Sequence, residues 1–66
     1  MTNTPQNPFA AYQFVAELAQ VIDRLEWLHP GAKGEIVLGS AGYFDHIALR
    51  QGGRIRYFDA TGRLLR

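Results

Sequence analysis

Residues 25–38 read Leu25-Glu26-Trp27-Leu28-His29-Pro30-Gly31-Ala32-Lys33-Gly34-Glu35-Ile36-Val37-Leu38, and the hydrophobic period changes inside this stretch. Before Pro30 the apolar residues recur at helical spacing. After Gly34 they follow a period of two. His29-Pro30-Gly31 divides the two regimes, because proline disfavours a helical residue before it and carries no N–H. Working back, Asn7 is positioned to cap a helix whose first turn holds Pro8. A helix over residues 8–28 is about 31 Å long. It places Ala11, Phe14, Leu18, Val21, Ile22, Leu25 and Leu28 on one side as the core face. Residues 1–7 form a polar tail.

Working forward, residues 35–39, 43–51 and 54–59 are rich in Ile, Val, Tyr and Phe between glycines, and they predict strands. Ser40-Ala41-Gly42 and Gln51-Gly52-Gly53 supply the tight turns. Asp59-Ala60-Thr61-Gly62 predicts a type I turn, which positions residues 63–66 as a short last strand. The expected fold class is therefore α+β: one N-terminal amphipathic helix packed on a three- to four-stranded antiparallel β-meander. The domain covers residues 8–66, with the helix over about 8–28 and the sheet over about 35–66. No connection is long enough for a parallel crossover.

Composition sets the outer limits. The chain has 66 residues, 47% apolar and 20% charged, which describes an ordered domain too short for a second one. Ordering it costs on the order of 100 kcal/mol, at roughly 1.5 kcal/mol per residue, so a self-partner or an unusually well packed core is a reasonable expectation. The sequence contains no cysteine, which excludes disulfides and thiolate zinc sites. The N-terminal residues lack the charged and apolar regions of a signal peptide, and no segment is apolar enough to span a membrane. A cytoplasmic protein is expected.

Charge is divided unevenly. Residues 1–40 hold Arg24 and Lys33 against Glu17, Asp23, Glu26 and Glu35. Residues 41–66 hold Arg50, Arg54, Arg56, Arg63 and Arg66 against only Asp45 and Asp59. Two surfaces stand out. Tyr12, Ala16, Ala19, Asp23 and Trp27 cluster about 180° from the core stripe, a composition that suits a second packing face. The competing reading folds Trp27 back beneath the 29–34 loop. On the sheet, alternation assigns Ile36, Leu38, Ile47, Leu49, Ile55 and Tyr57 to the helix side. Val37, Phe44, His46, Ala48, Arg50, Arg54, Arg56 and Phe58 are left for the other.

Enzyme motifs are absent. Gly39-Ser40-Ala41-Gly42 lacks the spacing and context of a nucleophile elbow. Gly31-Ala32-Lys33-Gly34 precedes a strand and lacks the Ser/Thr of a phosphate-binding loop. His29 and His46 lie on different elements, so neither a metal nor a cofactor is expected. His29, at the helix C-terminus, is placed to meet the dipole if protonated. Phe58-Asp59-Ala60-Thr61-Gly62-Arg63-Leu64 is similar to the Tyr-Asp-x-x-Gly-Arg-Leu core of Rhs-type YD repeats. The likeness covers seven residues, does not recur, and implies a shared hairpin turn chemistry without a function.

The expected function is a small, non-enzymatic protein–protein interaction module, a homodimer. It fits a regulator or inhibitor that occludes a partner's surface, for example one encoded by a mobile element. Tyr12, Asp23, Trp27, Phe44, His46, Arg50, Arg54, Arg56 and Phe58 are the candidate partner-binding residues. The alternative is single-stranded nucleic-acid binding by Arg50, Arg54, Arg56, Phe44 and Phe58.

Overall fold

A computed structural model describes residues 15–66. Its elements follow the order α1 (Val15–Leu28), β1 (Lys33–Leu38), a short 3-10 turn at the expected Ser40–Gly42, β2 (Phe44–Gln51) and β3 (Arg54–Phe58). The three strands form one antiparallel sheet in the order β1-β2-β3, and the helix packs on one face of it. The fold is the expected α+β arrangement. The proposed cap at Asn7 and the core positions Ala11 and Phe14 lie outside the described residues.

In α1 the stripe Leu18, Val21, Ile22 and Leu25 does the packing. Leu18 and Leu25 are buried, and Val21 and Ile22 lie against them. Leu28, expected in the same stripe, is instead 55% exposed, on the flank of the stripe about 60° from Leu25. The helix closes where predicted. His29 N–H donates to Leu25 O at 3.0 Å, and Ala32 N–H donates to His29 O at 2.9 Å. Between them Gly31 takes φ 82°, the left-handed conformation that ends many helices.

The helix approaches β1 through a missing side chain. A Cβ on Gly34 would lie 2.8 Å from Ile22 Cγ2, closer than such contacts normally come. The Gly34 N–H, on the outer edge of the sheet, donates to Glu26 Oε2 at 2.8 Å. Helix and strand are thereby joined where an edge N–H would otherwise be open. Replacing Gly34 with Ala is expected to destabilise the domain by about 1–3 kcal/mol through overpacking. Urea denaturation measures this, and an unchanged midpoint would show that the helix does not sit this close.

The β2–β3 turn fixes the register of those strands. Gly52 and Gly53, at φ 57° and 81°, form a two-residue hairpin that pairs Gln51 with Arg54, Arg50 with Ile55, Leu49 with Arg56 and Ile47 with Phe58. Directly paired residues share a sheet face. The helix side therefore holds Ile47, Leu49, Arg56 and Phe58, whereas Ala48, Arg50, Ile55 and Tyr57 face away. This corrects the sequence assignment of β3, whose faces are reversed. Phe58 is buried, and Ile55 is 41% exposed.

Phe44 moves for a different reason. Val37 pairs with His46, but Leu38 pairs with Phe44, so Asp45 is the extra residue of a β-bulge. The bulge returns Phe44 to the helix side, where it packs against the core. The core thus comprises Leu18, Leu25, Ala32, Ile47, Leu49 and Phe58, flanked by Val21, Ile22, Ile36, Phe44 and Ala60.

The last segment is a hairpin return. Asp59 Oδ1 accepts from Thr61 N–H at 2.9 Å, Thr61 Oγ1 at 2.6 Å and Arg63 N–H at 3.0 Å. Gly62 takes φ 89°. Residues 63–66 then run beside β3, with one bridge between Phe58 and Leu64; Tyr57 N–H donates to Arg66 O, and the Leu65 and Arg66 N–H groups donate to Tyr57 O. The predicted fourth strand is reduced to that bridge.

The Thr61 hydroxyl and the Arg63 N–H, followed by the Thr61 N–H and the Arg63 charge, lower the Asp59 pKa below its ordinary value against a small opposing effect of burial. A carboxylate whose folded pKa is depressed stabilises the fold above its unfolded pKa. That contribution is lost as pH falls through the lower folded value. Below about pH 4 the stability of the wild type should therefore fall more steeply than that of D59N. Parallel stability–pH curves would remove Asp59 from this role.

Candidate interaction surfaces

The outer face of α1 presents Ala16, Ala19, Gln20, Asp23, Arg24 and Trp27, all exposed. Trp27 does not fold back beneath the loop; it is 81% exposed. On a helix turning 100° per residue, Ala16, Gln20, Asp23 and Trp27 fall within an arc of about 60°, opposite Leu18 and Leu25. The face thus carries a large aromatic at one end and small residues at the other. Glu17 and Arg24 share one flank, within about 20° of each other. Neither forms an ion pair among the described residues. Tyr12, expected on this face, lies outside the described residues.

The sheet face turned away from the helix is composed differently from expectation. It holds His46 and Arg50 of the candidate residues, and it lacks Phe44 and Phe58, which belong to the core. In their place stands Tyr57. The Tyr57 and His46 rings meet in a T-shaped arrangement at a centroid distance of 5.2 Å and an interplanar angle of 74°. The Arg66 guanidinium sits 5.1 Å over the Tyr57 ring. His46 Nδ1 lies 2.6 Å from Asp45 Oδ2, the carboxylate of the bulge residue. Asp45, His46, Tyr57, Leu65 and Arg66 together line a shallow depression of about 280 Å³. The contacts clamp the C-terminal residues onto the sheet. Tyr57 and Arg66 were missed because the β3 register, which brings them here, was reversed.

Arg56 and Arg54 lie on the helix side of β3. Arg56 Nη1 is 3.4 Å from His29 Nδ1, and because arginine only donates, Nδ1 is the acceptor there. His29 also faces Phe58, at a centroid distance of 6.3 Å. It thus joins the helix end to the sheet. Arg54 flanks the glycine hairpin and is exposed.

No group of three or more potential metal ligands occurs among the described residues, and no described helix is long and apolar enough to cross a membrane. No protein-family model matches the chain, and comparisons with curated proteins and with solved structures likewise found no match.

Proposed function

We propose that this chain is a small, non-enzymatic protein–protein interaction module that pairs with a second copy of itself through the outer face of α1. The observation that carries this reading is the 81% exposure of Trp27 on the side of the helix opposite the core. A tryptophan left in water forgoes several kcal/mol of apolar burial, about 25 cal/mol per Å², and makes an effective anchor once covered.

The face is self-complementary, which selects a second copy as the occupant. In an antiparallel helix pair about a twofold axis, setting Trp27 over Ala16 of the second copy also sets Ala16 under the second tryptophan. The same register brings Gln20 opposite Asp23 of the second copy, an amide facing a carboxylate. Twofold symmetry makes the same flanks meet. Glu17 then lies within about 3 Å, along the axis, of Arg24 of the second copy, and the pair occurs twice. Size and charge therefore favour one arrangement.

A single helix pair is a small interface, so dissociation is expected within reach of ordinary protein concentrations. Sedimentation velocity across a concentration series should show a monomer–dimer equilibrium for the wild type and monomer for W27A. A wild-type monomer at every concentration overturns the proposal. A regulator of this design would act by covering its partner's surface.

The nucleic-acid reading receives no support from the fold, since the phenylalanines it needs for stacking pack against the core.

A further inference from the structure

At the end of the sheet nearest Pro30, two glycine turns meet. The loop after α1 contains Gly31, and the β2–β3 hairpin contains Gly52 and Gly53. The Gln51 Nε2 donates across the gap to Pro30 O at 3.1 Å. Between the turns lies a depression of about 350 Å³, lined by Lys33, Arg50 and Arg54, with the three glycines, Gln51 and Ile55 completing its wall. No carboxylate lines it. A Cβ added at any of the three glycines would meet nothing within 4 Å, so the space above these turns is open to a ligand.

Two of these cations are placed against each other by the strand register. Lys33 and Arg50 are directly opposed across β1 and β2, an arrangement of like charges that destabilises a sheet. Both are exposed, as is Arg54, so no apolar burial compensates. Among the described residues Arg50 forms a long ion pair with Glu35, Oε1 lying 3.8 Å from Nε and beyond hydrogen-bond distance. Lys33 and Arg54 form no ion pair among the described residues. Lys33 and Arg50 reach the depression from the sheet face turned away from the helix and Arg54 from the helix side, around the hairpin end, so a multivalent anion seated there would meet all three and relieve the Lys33–Arg50 repulsion.

We infer that the depression between Gly31 and the Gly52-Gly53 hairpin binds a compact phosphoanion, a pyrophosphate group, through Lys33, Arg50 and Arg54. Arginine supplies forked donors suited to phosphate oxygens, and lysine adds a point charge. This site lies apart from the outer face of α1 and does not depend on the dimer.

The test is an NMR titration of the full chain with inorganic pyrophosphate at low ionic strength. The expected result is saturable shifts confined to the amides of Gly31, Lys33, Gly52, Gly53 and Arg54. The double variant K33Q/R54Q should weaken binding at least about tenfold. E35Q should tighten it by removing the competing carboxylate, and R63Q, in the turn after β3, should change it by less than about twofold. All replaced side chains are exposed, and each variant's amide spectrum reports that its fold is intact. A parallel titration with a nucleoside diphosphate identifies the source. Equal affinity assigns free phosphoanion, and tighter binding assigns a nucleotide. Absence of saturable shifts, or equal weakening by R63Q, overturns the site. So does strong binding of a single-stranded oligonucleotide with none of pyrophosphate.

Discussion

W27A is expected to weaken self-association roughly 30- to 700-fold, the equivalent of about 2–4 kcal/mol for removing a central aromatic anchor. The twofold arrangement makes the effect large, because one substitution removes the same contact twice. Folding should hardly change, since the 81% exposed side chain contributes little to the core. Far-UV circular dichroism and urea midpoints of W27A should match the wild type. A dimer of unchanged strength in W27A would place the contact elsewhere on the molecule.

The proposed register adds a sharper expectation. Either E17R or R24E alone sets like charges against each other at both ends of the helix pair and weakens the dimer. The double variant E17R/R24E restores opposite charges and should recover most of the loss. Exposed ion pairs contribute only about 0.2–1 kcal/mol each, so these shifts are smaller than that of W27A. Their sign is what matters. A double variant weaker than both singles would leave the helix face in place but exclude this register.

The second large effect concerns the core. L49A is expected to cost about 2–5 kcal/mol, because Leu49 is 1% exposed and the cavity left behind is closed off between sheet and helix. A domain of this size has roughly 3–5 kcal/mol to lose, so the variant should be largely unfolded at room temperature. I55A removes a similar apolar side chain from a neighbouring strand. It should cost less than about 1.5 kcal/mol, since Ile55 is partly exposed and faces away from the helix. The comparison tests the sheet register directly. If Ile55 faced the helix, the two substitutions would destabilise comparably. Urea denaturation of both variants separates the cases.

The comparison of Leu49 with Ile55 also shows where the amino-acid sequence stops being sufficient. Alternation in 54–59 is strong, but a period of two fits either face equally well, and Ile55 and Tyr57 make as good a core pair as Arg56 and Phe58 look poor. The signal that separates them is the loop. A two-residue turn pairs Gln51 with Arg54, so odd-numbered residues of β2 share a face with even-numbered residues of β3. That parity was readable from Gly52-Gly53. The bulge at Asp45 was not, because nothing in Tyr43-Phe44-Asp45-His46 marks which residue is left over, and it alone returns Phe44 to the core.

The candidate surfaces divide in the same way. Trp27 was legible because helical geometry needs only one spacing, and the helix end at His29-Pro30-Gly31 fixed the frame. The cluster of Lys33, Arg50 and Arg54 was not, since it joins two turns distant in sequence.

What the sequence by itself determined was the order and kind of the elements: a helix ending at Pro30, then a meander punctuated by glycines. These follow from local steric and hydrogen-bonding preferences that act within a few residues. Only the tertiary structure decided which face of β3 and which aromatic rings enter the core. It also brought the three cations to one depression. Those outcomes depend on strand register, and register is set by pairing between segments rather than within them.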